Sequence, residues 1–242
     1  MTSAKHHSPK RPRWLRRTAA LLLGVMLVVL AAFWLALQYK PPWFRPPVLD
    51  AAGRRQARVD AVNTADFISD QLMRNEPFDV DLTAAAINEW LAAWPESHPD
   101  SYRNVPPEFT RFAVHFESGR MYLGAHFANK GWEAILNLAF SARLNDDGSA
   151  IIVALSKARI GACPIPQRNL EKLLTDLREQ ADVGVDRREA FSSALQSIRS
   201  VDDVVQGIAI PNRFTWFNGK RSFTIENVTL DKGALRLRLH PR

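Results

Sequence analysis

Three sets of side chains in this chain are of types that do chemistry: Cys163, the pair Asp79 and Asp81, and the histidines His115 and His126. A cysteine serves as nucleophile or redox thiol when a neighbouring base or cation holds it as the thiolate. Cys163 stands in "RIGACPIPQRNLEKLL", between an alternating run and a helical one, with no cysteine motif and no nearby histidine in sequence. As the only cysteine, it cannot form an internal disulfide. It reads as a small residue packed at a corner. Gly161 closes a strand, Pro164 turns Cys163 away from helical backbone, and Pro166 suits the first turn of a helix carrying Leu170, Leu173, Leu174 and Leu177 at i, i+3, i+4 and i+7.

Asp79 and Asp81 have the look of a carboxylate pair, but two apart on a strand they share the face opposite Phe78, Val80 and Leu82. A working acid needs a pocket that raises its pKa, and a solvated strand face supplies none. His115 and His126 belong to "VHFESGRMYLG" and its continuation, which predicts a hairpin about Ser118-Gly119 with Glu117 opposite Arg120. In that register both histidines fall on the polar face with Arg111, Glu117, Arg120 and Tyr122. His126 then lies four residues beyond the position opposite His115, roughly 13 Å away, too far for one zinc with bonds of about 2 Å. A solvated polar face is the expectation for both histidines, and no metal or cofactor is expected.

The elements that must carry these residues begin with an uncharged run over residues 19–37, "LLLGVMLVVLAAFWLAL" at its heart. At about 1.5 Å per residue it nearly crosses a hydrocarbon core about 30 Å thick. It is longer than a signal-peptide core, and only the arginine pair of a twin-arginine signal is present, so an uncleaved anchor is expected. Lys10, Arg11, Arg13, Arg16 and Arg17 crowd its amino-terminal flank, which predicts a cytoplasmic tail at 1–17, a transmembrane helix at 18–39 and an exported carboxy-terminal domain. The predicted location is the inner (cytoplasmic) membrane, single-pass. Six of the 32 lysines and arginines and none of the 25 acids lie in residues 1–39, so the formal charge of +7 belongs mostly to the tail. The rest is close to neutral, which removes the usual argument for a basic nucleic-acid surface, and no nucleic-acid partner is expected.

Residues 40–50, "KPPWFRPPVLD", predict an extended semi-stiff spacer, and 51–76 a connecting helix whose alanine-rich stripe packs only through its second half or meets another helix. The domain proper is expected over 77–242. "FDVDLT" is a strand entering a helix capped by Thr83, and the hairpin follows. Two long alternating runs joined by Asn145-Asp146-Asp147-Gly148 come next, then helices over 167–198, the second opened by a capping box at Asp186 and Glu189. Turns at Asn218-Gly219 and Asp231-Lys232-Gly233 complete the chain, and Arg236, Arg238 and His240 give the last strand a wet, basic face. The fold class predicted is α+β, one domain with a long-stranded, curved antiparallel sheet packed by several helices. Phe112, Val114, Phe116, Met121, Leu123, Leu136, Leu138 and Phe140 fall on one face of that sheet, which curls around either packed helices or an apolar cavity.

The strand-to-helix entry "FDVDLTAAAINEWL" and the G-x-x-P-x-P corner "GACPIP" resemble the YpmS-like group of bacterial membrane-anchored extracytoplasmic proteins, over about residues 78–240. The corner is also similar to that of LmeA-like lipid-binding domains. The resemblance implies an exported domain in a bacterial envelope and, for the LmeA-like branch, a curved sheet that holds lipid; it carries over no catalytic residue. Two functions are therefore expected as alternatives: a tethered lipid-handling module with the eight residues above lining its groove, or a non-catalytic scaffold that offers an apolar patch or sheet edge to an envelope protein. No Walker-type loop, G-x-S-x-G, S-x-x-K or H-E-x-x-H is present, and no enzymatic activity is expected.

Overall fold

The computed structural model describes residues 13–103, 105–129, 131–172, 175, 200–216, 219 and 221–242, with side chains from Leu21 onward. Helix α1 (Arg13–Leu37) is followed by an irregular segment and α2 (Ala51–Arg74). Then come β1 (Phe78–Thr83), α3 (Ala84–Ser97), the short α4 (Pro99–Tyr102), and the strands β2 (Phe109–Glu117), β3 (Arg120–Asn129), β4 (Trp132–Leu144), β5 (Ala150–Ile160) and β6 (Cys163–Pro164). Helix α5 (Val201–Gln206), β7 (Ile208–Pro211), β8 (Phe214–Thr215), β9 (Ser222–Asp231) and β10 (Ala234–Pro241) close the chain. Among the described residues no helix is long and apolar enough to cross a membrane; the described side chains of α1 run from residue 21 to 37, about 25 Å at about 1.5 Å per residue.

The strands form two antiparallel sheets rather than the one expected. The larger and curved sheet has the order β2-β3-β4-β5-β6, with β7 also on β5, and the smaller has β1-β10-β9-β8. The β2–β3 hairpin has the predicted register, Glu117 opposite Arg120 and His115 opposite Tyr122. Thr83 caps α3 as its sequence suggests, its hydroxyl accepting from the Ala86 amide at 3.2 Å. The sheets are joined at their turns: Gly119 donates to the Leu230 carbonyl at 2.8 Å and Gly233 to that of Phe116 at 3.1 Å.

Between the sheets Val114, Phe116 and Leu230 pack with Ile87 and Leu91 of α3, Met121, Leu123 and Leu235. A second cluster, Ile68, Leu72, Val80, Ile151, Ile225 and Leu239, seats the end of α2 on the smaller sheet. The start of α2 is held too, because Arg54 pairs with Glu96 at 2.6 Å and Ala57 is buried. The expectation that only the second half of this helix packs is thereby corrected. Two asparagine amides stand in for missing strand neighbours. Asn88 of α3 donates to the Val114 carbonyl (3.0 Å) and accepts from the Val114 amide (2.6 Å) at the β2 edge. The buried Asn212 does the same for Ile225, at 2.7 and 2.8 Å. The helices expected over 167–198 are described only at their beginning, helical from 167 to 172; the capping box at Asp186 and the stripe through Ile198 lie outside the described residues.

Candidate functional site

The end of α1 meets the corner after β5. The last carbonyls of a helix have no partner within it; here the amide of Ala162 donates to the carbonyl of Ala36 at 2.8 Å. Gly161, at φ +60°, leaves no room for a side chain, since a Cβ there would overlap the carbonyl oxygens of Ala36 and Leu37. Cys163 follows, half-buried and opposite Ile160 in the β5–β6 pair. The thiol belongs to the corner that receives α1.

From this junction the proline-rich segment turns across the larger sheet, Phe44 donating to the Pro41 carbonyl at 2.9 Å. Trp43 lies flat on His115, with ring centroids 5.7 Å apart at 14°, and tilted on Tyr122 at 5.8 Å; Phe44 meets Trp43 edge-on. Both rings reach into the hollow at Gly124, where a Cβ would collide with Phe44 and come within 2.8 Å of Trp43. The spacer is non-helical, as expected, and is docked on the sheet, while the expected solvated histidine face is corrected, because Trp43 stacks on His115 and the His126 side chain is only 15% exposed. Alternation marks that face as polar through His115, Tyr122 and His126, but Ala113, Gly124, Ile135 and Ala139 share it and form a shallow apolar floor. A glycine inside an alternating run was the signal available in the sequence, because such a glycine marks close approach by another group.

His126 is only 15% exposed at its side chain and lies 3.4 Å from Glu133, with Thr110 Oγ1 2.9 Å from its other ring nitrogen. Lys40 reaches the same carboxylate at 3.6 Å. The hydrogen bond from His126, then its charge and that of Lys40, hold the Glu133 carboxyl below its ordinary pKa. Among the described residues no group of three or more His, Cys, Asp or Glu is arranged to hold a metal ion.

Asp79 and Asp81 face the basic residues of β10. Arg238 lies 3.5 Å from Asp79 and 3.3 Å from Glu226, while Arg236 lies 3.6 Å from Asp81 and 3.2 Å from Asp231. His240 is 2.7 Å from Glu226, whose carboxyl it holds below the usual range through that hydrogen bond. The last strand does present a wet, basic face, and the acids of β1 and β9 on either side pair with it.

The eight residues expected to line a groove share one sheet face, as the register requires, and divide into three groups. Val114 and Phe116 are buried, 8% and 0% exposed, with Met121 and Leu123 packed beside them against Leu230. Phe112 stands edge-on to Trp94 at 6.1 Å and borders a hollow of about 160 Å³ beneath Pro46 and Pro47. Leu136, Leu138 and Phe140 are half-buried along β4. Leu138 and Phe140 pack with Leu155, Val204 and Ile208. Leu136 pairs across with Ile160, the residue before Gly161, so this row starts at the α1 junction. Family models, curated proteins and solved structures give no match to this chain. The resemblance to YpmS-like and LmeA-like proteins accordingly rests on its two motifs alone.

Proposed function

We propose that this chain is a single-pass membrane-anchored, extracytoplasmic, non-enzymatic module that handles lipid at the envelope membrane. The observation that carries the reading is the junction at Ala36, Gly161 and Ala162. A helix whose apolar side chains from Leu21 to Leu35 stand half or more exposed on all sides ends directly against the domain, with no slack between them. An apolar surface of that kind is unfavourable in water and suited to lipid. The basic flank at Lys10, Arg11, Arg13, Arg16 and Arg17 orients it with the tail cytoplasmic. The lipid assignment draws on the row Leu136, Leu138 and Phe140, half-buried and beginning where α1 ends.

The test has two parts. A reporter enzyme active only outside the cytoplasm, fused after Arg242, should be active while the protein stays with membranes at its uncleaved mass; a soluble, shortened product overturns the anchor. Native mass spectrometry of the full chain released from detergent should then show retained lipid on the folded protein. A second reading is favoured by the solid contact of Val114 and Phe116 with Leu230: a scaffold whose partner is another envelope protein. Absence of retained lipid, with a stable protein complex purified instead, selects that reading.

A further inference from the structure

Helix α2 is fixed at both ends and not in the middle. Arg54 and Ala57 hold its start near α3, and Ile68 and Leu72 hold its end in the core. Between them the residues turned toward α3 are Ala61, Thr64 and Ala65, and the facing positions on α3 are Ala86, Glu89 and Trp90. The short side chains Ala61, Thr64 and Ala65 of α2 and Ala86 of α3 leave the gap between the helices unfilled. A cavity of about 320 Å³ remains, floored by Ile68, Leu82 and Ile87, with Trp90 and Trp216 as aromatic walls. That volume lies within the range of about 300–1,000 Å³ typical of small-ligand pockets.

Among the described residues the mouth has one sign of charge: Asp60 and Glu89 are exposed at its rim, and no described lysine, arginine or histidine lines it. A carboxylate or phosphate ligand would meet like charge there, whereas a cation meets two carboxylates in a cleft lined by the indoles of Trp90 and Trp216, a ring type that attracts cations through its quadrupole. The geometry points to the α2–α3 cleft as a binding site for an amphipathic ammonium compound, its apolar body between Ala61, Ala65 and Trp90 and its charged head at Asp60 and Glu89. This site is separate from the β4 row and does not depend on the lipid reading.

The experiment uses the full chain in phosphatidylcholine nanodiscs, with empty nanodiscs as blank, and titrates three probes sharing one phenethyl body: phenethylammonium, neutral 2-phenylethanol and anionic 3-phenylpropionate. Calorimetry should show saturable binding of the ammonium at least about tenfold tighter than of the carboxylate. Glu89→Gln, a change at an exposed position, should weaken the ammonium severalfold and leave the alcohol unchanged. Ala65→Leu should abolish binding of both by filling the space. Equal affinity for ammonium and carboxylate, an unaltered ammonium affinity in Glu89→Gln, or no saturable binding at millimolar probe overturns the assignment.

Discussion

The amide of Ala162 hydrogen-bonds to the carbonyl of Ala36 across 2.8 Å, so the corner after β5 terminates α1. Gly161 makes that approach possible, and its importance is separable from its backbone conformation. Gly119 has a similar φ, +72° against +60°, yet a Cβ there would meet nothing within 4 Å. Gly119→Ala should cost about 1 kcal/mol for the left-handed conformation alone. Gly161→Ala should cost about 1–3 kcal/mol more, because the methyl displaces α1. Equal costs in denaturant melts would mean that helix and corner are not in contact.

Gly124 makes the corresponding test of the proline-rich segment. Leucine at this position collides with Phe44 and Trp43. Gly124→Leu should lift the segment from the sheet, accelerate chymotryptic cleavage after Phe44 and lower stability by about 1–3 kcal/mol. Unchanged cleavage kinetics would count against the docked arrangement.

Asn212 donates to the carbonyls of Gly148 and Ile225 and accepts from the Ile225 amide, all within 2.8 Å. Asn212→Ala should cost about 1–3 kcal/mol through the unpaired backbone groups. Asn212→Asp should cost more at pH 7, since an ionised carboxylate can only accept and would face two carbonyls. Burial raises that new carboxyl's pKa in the folded state, so the deficit should shrink as pH falls and the acid becomes protonated. Urea melts at pH 7 and pH 5 make the comparison.

Glu133 is held below its ordinary pKa, by His126 first and Lys40 second. A depressed acid stabilises the fold above its unfolded pKa and loses that contribution as pH falls through the folded value. A nuclear magnetic resonance titration of the Glu133 carboxyl should therefore show a midpoint below that of free glutamate. In His126→Gln the midpoint should move up, and a midpoint indifferent to that change would remove the assigned cause.

Leu138 and Phe116 sit on one sheet face in different surroundings. Phe116, fully buried, should cost about 3–5 kcal/mol on truncation to alanine. Leu138, half-buried on the β4 row, should cost less than about 2 kcal/mol. Leu138→Trp should melt cooperatively and bind a fluorescent fatty acid more weakly than wild type. If the wild type binds no such probe and Leu138→Trp fails to fold, the scaffold function replaces the lipid one.

Local patterns were the legible part of this chain. Alternation marked β2 to β5, the Ser118-Gly119 turn fixed the register of β2 with β3, and Thr83 marked the start of α3. What alternation cannot convey is which element covers a face. The same period describes a face open to water and one floored by Ala113, Ala139 and Gly124 and roofed by Trp43, and the roof is about 70 residues away in sequence from part of its floor. The division into two sheets was hidden for a related reason: β1 pairs with β10, a partner at the opposite end of the domain. The α2–α3 cleft left only a faint trace, an alanine-rich stripe, because an unfilled space has no residue type of its own.

The junction also has a mechanical meaning. With α1 in a bilayer, a change in bilayer thickness alters the helix tilt. A flexible linker would absorb such a rotation. Here the hydrogen bond at Ala36 and the rings lodged against Gly124 form a splint across the place where a hinge would be. If α1 lies in a bilayer as proposed, helix and sheet move as one lever, and the thickness of that bilayer is converted into the angle at which the domain faces its surroundings.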